Sequence, residues 1–180
     1  MPETESLCAL ISKIKNHAPN PKLGLPQELF YYVSETTPLI NVDLLIKDAE
    51  GRTLLTWRDD QFYGPAWHIP GGIIRFKETM ESRIHLVAQK ELKAQVRFHA
   101  TPICVTELMN AERDVRGHFI SLLFACELIS MPDPAKAYIG IGAPISEQWA
   151  WHASAPENLL SVHERFRGHI NNSYTHKIQP

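Results

Sequence analysis

The segment 67–94, WHIPGGIIRFKETMESRIHLVAQKELKA, constrains the fold more than any other part of the chain. It reads as an extended stretch, a Pro-Gly-Gly corner, a polar loop and one helix. Pro70 has no N–H to give to a ladder, so a strand is expected to stop there. Gly71 and Gly72 allow positive φ and let a ligand approach bare peptide groups. Thr79 predicts a helix N-cap, with Glu81 in the first turn favoured by the helix dipole. Met80, Ile84, Val87 and Ala88 then follow at helical spacing and define a buried face. Glu91 lies one turn past Val87, at the edge of that face, where it is expected to project toward the Gly-Gly corner.

The rest of the chain supplies strands for this helix to pack on. Residues 39–47 alternate, with Ile40, Val42, Leu44 and Ile46 on one face and Asn41, Asp43 and Leu45 on the other. The turn at 48–51 and a second strand over 52–58 predict a hairpin. Two more strands are expected at 103–108 and 118–128, joined by the charged turn 110–117. A long loop with Pro134, Gly140 and Gly142 leads to a short aromatic strand at 148–152. Leu159, Leu160, Val162 and Phe166 predict a second helix over 157–167. Nearer the N-terminus, Leu7, Leu10, Ile11 and Ile14 repeat at i, i+3, i+4 and i+7. That stripe predicts a short amphipathic helix, either packed on its own domain or serving as a dimer contact or lid. Strands on both sides of one central helix, plus a C-terminal helix, predict an α/β protein with helices packed on a mixed sheet.

Composition limits the functions available. A chain of 180 residues is long enough for one domain with a substantial core. The net charge of −2 offers no basic surplus to blanket a nucleic-acid backbone, so no nucleic-acid partner is expected. Cys8, Cys104 and Cys126 are odd in number and lack CxxC spacing, which favours reduced thiols. No apolar run is long enough to span a membrane, and no signal peptide is evident. The expected location is cytoplasmic.

The central segment resembles a Nudix box, in which a glycine, five residues and a glutamate precede a helix rich in glutamates. Gly72, Glu78 and Glu91 stand at the matching spacing. Leu86, Val87 and Lys90 occupy the places of the usual arginine and two further glutamates, and Lys93 that of the closing glycine. Among such boxes it is most similar to that of the GDP-mannose mannosyl hydrolases, which also keep fewer acidic residues. The likeness covers roughly residues 25–94, including LPQELFYYVSETTPLINVDLLIKDAEGRTLLTWR and WHIPGG. Gly117-His118-Phe119 and Val162-His163 are weaker anchors beyond it. The resemblance implies a Nudix-type α/β/α sandwich over residues 26–170, preceded by a helix and linker over 1–25 and followed by a flexible tail over 171–180. It also implies Mg²⁺, a nucleoside-diphosphate sugar as ligand, and a homodimer.

By the same resemblance, Glu91 and the Gly71 carbonyl bind the metal. A hard divalent cation that keeps several waters needs no more than one or two carboxylates from the protein. Read alone, a helix glutamate such as Glu91 is solvated far more often than it is a ligand, and the matched spacing to the glycine pair is what favours the ligand reading. Arg58 matches an arginine that contacts the diphosphate, and a guanidinium fork suits phosphate oxygens. The family's other arginine directly follows the glycine pair, where this chain has Ile73. Arg75, two residues on, is its expected substitute. Asp43 matches an aspartate near the sugar; its strand position allows it to face a cleft or water. Glu78 lacks its customary arginine, since Leu86 stands there, and is readable as a plain loop residue. The family's histidine base and metal-binding glutamine fall near Ile145 and Ser146, which cannot replace them. His118, Glu147 and His152 are the nearest alternatives for a base. Trp57, Phe62, Tyr63 and Trp67 flank the expected pocket. The expected function is Mg-dependent hydrolysis of a GDP-mannose-like nucleotide sugar to sugar and nucleoside diphosphate. The alternative is a nucleotide-sugar binding or regulatory module that has lost the chemistry.

Overall fold

The computed structural model describes residues 5–172. Two sheets carry the fold. The larger has strands β1 (Leu39–Ile46), β4 (Gly71–Ile73), β5 (Val96–Phe98), β6 (Cys104–Met109) and β7 (His118–Leu128). Its order is β4-β1-β7-β5, with β6 sharing the β5 edge of β7. β1 and β7 run parallel, from Leu39 opposite Phe119 to Ile46 opposite Cys126, while β4, β5 and β6 pair antiparallel. The sheet is therefore mixed, as expected. The smaller sheet joins β2 (Thr53–Arg58) to β3 (Ala66–His68) and β8 (Trp149–His152).

From Val42 on, β1 alternates as its side-chain pattern predicts, while Ile40 near its start is exposed. Val42, Leu44 and Ile46 pack in one core with Ile84, Val87, Ala88 and Leu92 of the central helix. Leu45 turns to the opposite core with Leu159, Phe166 and Ile170. Helices thus cover both faces, which makes the α/β/α sandwich. The central helix α3 (Met80–Val87) begins where its cap predicts: Thr79 Oγ1 accepts from the Ser82 N–H at 3.1 Å. It continues into one π-helical turn over Ala88–Leu92, closed by Lys93 at φ 55°.

Several expectations are corrected. The 39–58 hairpin does not form, because β4 and β7 already occupy the two edges of β1. One bridge, Lys47 to Thr53, remains before β2 departs into the other sheet. The Gly-Gly pair is not a left-handed corner but the start of β4, and neither glycine has positive φ. Its glycines answer to space instead. A Cβ on Gly71 would stand 2.2 Å from Asp43 Oδ1 and 2.9 Å from the Val42 carbonyl oxygen. The predicted C-terminal helix is shorter and later: residues 158–160 run extended along Trp67, a 3-10 turn follows over Ser161–Phe166, and α4 spans Arg167–Asn171.

Helix α1 (Leu7–His17) forms, but no residue of its apolar stripe is buried among the described residues, and Leu7 is 71% exposed. Helix α2 (Gln27–Thr36), which the sequence reading passed over, packs beside the 60–63 loop through the Tyr31–Phe62 ring contact. Among the described residues, no helix is long and apolar enough to cross a membrane. From residue 173 on, the expected tail lies outside the described residues.

Candidate functional site

A cleft of about 460 Å³ opens between the two sheets, lined by Asp43, Thr56, Arg58, His68, Gly71, Glu91, Arg116 and His163 among others. This volume lies in the range of ligand pockets. The Gly71 end is built by ladder geometry. The Leu44 N–H bonds to the Pro70 carbonyl and the Ile74 N–H to that of Ile40. Antiparallel alternation then makes Asp43–Gly71 a non-hydrogen-bonded pair, so the Gly71 peptide groups point off the edge of the sheet. Glu91 meets them there: the Gly71 N–H donates to Glu91 Oε1 at 3.4 Å. The π-helical turn, which widens the helix by one residue, carries Glu91 at this point.

Two carboxylates and two imidazoles share the floor. Glu91 is pushed up to about 7 by burial, against hydrogen bonds from Gly71 and Thr56. Asp43 is pushed up to about 6, again by burial, against its hydrogen bonds to Ser121 and Asn41. His68 is held down at about 4, by burial first and the Arg58 charge second. His163 is held down at about 3, by burial, then by His68 and Arg58. Both rings are therefore neutral near pH 7, and their tautomers follow from their neighbours. His68 Nδ1 lies 2.8 Å from the Ile69 carbonyl, so Nδ1 carries the proton and Nε2 accepts. The Thr56 hydroxyl has one proton and two claimants, His68 Nε2 at 2.9 Å and Glu91 Oε2 at 3.3 Å. The bond to Glu91 is the longer of the two and only partly offsets the effect of burial on that carboxyl. His163 Nδ1 accepts from the Ile69 N–H at 3.1 Å, leaving the proton on Nε2, 3.9 Å from Asp43 Oδ1. Neither imidazole keeps a free lone pair.

The residues proposed from sequence divide into two groups. Asp43, Arg58, Gly71, Glu91 and Glu147 line the cleft. Asp43 faces this floor rather than water, and is 1% exposed. Arg58 stands at the end of β2, with Nε 2.6 Å from Asp60 Oδ2. Glu147 sits at the rim, held by Lys136 Nζ at 2.6 Å. Arg75 and His118 fall outside the lining. The Arg75 guanidinium turns back to the Leu23 carbonyl at 2.6 Å, tying the linker to the domain. His118 pairs with Glu107 at 2.9 Å on the outer part of β6 and β7. His152 packs edge-on to Trp67, also outside the lining.

Glu78 is more than a loop residue. Its Oε2 accepts from Arg83 Nε and Nη2 at 2.9 and 2.6 Å and from the Arg75 N–H at 2.9 Å. Arg83 thus supplies, one turn earlier in the helix, the partner missing at Leu86.

Thr56, His68, Arg116 and His163 were not recognised as site residues from sequence. His68 sits two residues before Pro70 in the strand leading to the glycines, the one local signal that could have marked it. His163 entered only as an anchor of resemblance. Among the described residues, no three His, Cys, Asp or Glu side chains gather as a metal cluster. The Glu91 carboxylate and the Gly71 carbonyl, which points off the same sheet edge, are oxygen donors that would suit a cation, and the Asp43 carboxylate and Thr56 hydroxyl line the same cleft. That set is sparse but chemically suited to Mg²⁺, which completes its shell with water and ligand phosphates.

The layers, the mixed sheet and the strand–loop–helix around Gly71 and Glu91 are those of the Nudix fold. A Nudix-family hydrolase from Clostridium perfringens superposes with a TM-score of 0.55 at 14% identity, over 76% of this chain and 96% of that one. A UDP-X diphosphatase superposes at 0.54 and 16% identity, over 92% and 76% of the two chains. No family model matches the sequence. In sequence, the chain is 32% identical over 118 residues to the low-salt glycan biosynthesis protein Agl8 of Haloferax volcanii, covering 63% of this chain and 74% of that one. The chain belongs to the Agl8 family.

Proposed function

We propose that the protein is a Mg²⁺-dependent hydrolase of a nucleoside-diphosphate sugar, of the GDP-mannose type, releasing sugar and nucleoside diphosphate. The observation that carries this reading is the approach of Glu91 to the off-ladder peptide of Gly71, in a cleft that also receives Arg58. Glu91 and the Gly71 carbonyl would hold the metal, and the metal would neutralise charge on the departing diphosphate. Arg58 would bind that diphosphate. Asp43 is the group proposed to accept the proton of the attacking water, because its carboxyl lies near neutrality while both imidazoles are engaged. The glycan-biosynthesis relative supports a sugar-nucleotide ligand, and the UDP-X diphosphatase among the fold neighbours agrees with a nucleotide one. A homodimer is part of the proposal, with the exposed stripe of α1 as its contact.

A second reading, a binding module without turnover, is favoured by one observation: neither cleft imidazole keeps a free lone pair. One assay separates them. The protein is incubated with GDP- and UDP-sugars and Mg²⁺, and free sugar and nucleoside diphosphate are measured. Turnover that falls at least a hundredfold in Glu91→Gln supports the hydrolase. Tight binding of the same compounds with no product supports the module and overturns the hydrolase.

A further inference from the structure

We propose that Arg116, from the loop between β6 and β7, pairs with Arg58 to form the subsite for the ligand's diphosphate, in the role that Ile73 leaves vacant and Arg75 does not fill. The proposal rests on the cleft being a nucleotide site and names the groups that hold its anionic part.

Both arginines line the same cleft as Glu91, Asp43 and Gly71. Both guanidinium carbons lie within 6 Å of the Tyr63 ring centre, at 4.6 Å for Arg58 and 5.7 Å for Arg116. Arg113 joins them, 4.3 Å over the same ring. Three cations therefore crowd one aromatic side chain. The ion pair formed here is Arg58 with Asp60, and Asp60 is also occupied by the N–H groups of Phe62 and Tyr63. Arg116 Nε and Arg113 Nη1 are buried without an acceptor among the described residues. Gathering like charges while leaving donors unsatisfied is unfavourable unless an anion completes the set. Burial first, and then the nearby charge of Arg58, lower the affinity of Arg116 for its own proton, which is the effect such crowding should have.

The cluster is also held in place. The Arg116 N–H donates to Ser34 Oγ of α2 at 3.1 Å, and its carbonyl accepts from the Tyr63 hydroxyl at 3.2 Å. Its guanidinium lies 4.8 Å over the Phe62 ring. Arg113 donates through Nη2 to the Phe62 carbonyl, so it braces the loop on which Phe62 and Tyr63 sit. A guanidinium anchored through its backbone and its ring contacts loses little freedom when it binds, and two such forks suit the divided charge of a diphosphate better than a single phosphate.

The test uses inorganic pyrophosphate and inorganic phosphate as probes, titrated calorimetrically into the intact chain with metal chelated. Wild-type protein is expected to bind pyrophosphate more tightly than phosphate. Arg116→Met keeps an apolar stem over Phe62 while removing the charge, and is expected to weaken pyrophosphate binding about tenfold or more. Arg116→Lys should recover part of the loss, because the charge returns without the fork. Arg75→Met should bind as wild type. Thermal melting of each variant separates lost binding from lost folding. Undiminished binding by a folded Arg116→Met, or no pyrophosphate binding by wild type, overturns the proposal. A wild type that binds pyrophosphate through Arg116 yet hydrolyses no nucleotide sugar overturns the hydrolase and leaves this subsite standing.

Discussion

Arg83 closes on a single oxygen of Glu78, donating from Nε at 2.9 Å and from Nη2 at 2.6 Å, with the two side chains only 7% and 12% exposed. The pair fastens the loop after β4 to the first turns of α3. Burial pushes the Glu78 carboxyl up, and the hydrogen bonds from the Arg75 N–H and Arg83 more than reverse this. Arg83→Leu leaves that half-buried carboxylate without its cation and is expected to cost about 1–3 kcal/mol. Adding Glu78→Gln should recover a good part of the loss. Chemical denaturation of the two variants checks this, and a double variant no more stable than Arg83→Leu would count against the pair.

Gly71 and Gly72 differ in what a side chain would strike. A Cβ on Gly71 meets the Asp43 carboxylate and the Val42 main chain, whereas one on Gly72 meets side chains alone, Val87 Cγ2 at 2.8 Å and Arg83 Cδ at 3.3 Å. A side chain shifts with less disturbance than a hydrogen-bonded main chain. Gly71→Ala is expected to cost about 2–3 kcal/mol and Gly72→Ala about 1 kcal/mol, within the usual span for overpacking. Equilibrium unfolding gives the order, and equal losses would show that space at β4 is not what selects glycine.

Lys93 closes the π-helical turn in the left-handed region, at φ 55°. An L side chain there is strained by roughly 1–2 kcal/mol, part of which a glycine returns through its greater freedom in the unfolded chain. Lys93→Gly should raise stability by up to about 1 kcal/mol, which for a chain of this size is about 2–4 °C in melting temperature.

The floor of the cleft sets two opposed pH dependences in the metal-free protein. Glu91 and Asp43 have folded values, about 7 and about 6, above their ordinary ones. The folded state therefore binds more protons, and stability falls as pH rises from about 4 to about 7. His68 and His163 are held down at about 4 and about 3, below their ordinary value near 6.5. Their contribution is full above pH 6.5 and is lost as pH falls below it. Over the range they share the two trends offset each other, so Glu91→Gln is expected to make stability rise more steeply with pH between 5 and 7. His163→Asn, which keeps an acceptor for the Ile69 N–H, should have the opposite effect and make stability fall as pH rises through that range. Melting curves in a metal chelator across pH 4.5–8 read both, and variant profiles parallel to wild type would contradict the assignment.

Much of the frame could be read along the chain. The period-two pattern of β1, the apolar run of β7 and the Thr79 cap are local features. Each acts through its own backbone or its immediate neighbours. The Glu91–Gly71 juxtaposition also followed from spacing, because a single helix and the adjoining strand fix it. The missed and misplaced side chains have a different origin. Arg75, which alternation was to bring to the ligand, finds the Leu23 carbonyl instead, 52 positions away in the chain. His163 reaches the cleft because 158–160 run extended beside Trp67, which no local propensity at Leu159 or Leu160 foretells. Arg116 is held by Ser34, from a helix that sequence reading did not foresee.

The sequence by itself determined the strand pattern of β1 and β7, the start of α3 and where Gly71 and Glu91 would meet, because capping, periodicity and short spacings act within a few residues. The tertiary structure alone decided that β1 and β2 part into different sheets, that Arg83 replaces the arginine missing at 86, and that Arg116, His68 and His163 converge on one cleft. Those outcomes depend on which strand edges are already occupied and on which buried donors still need an acceptor, and both are settled only when distant parts of the chain pack together.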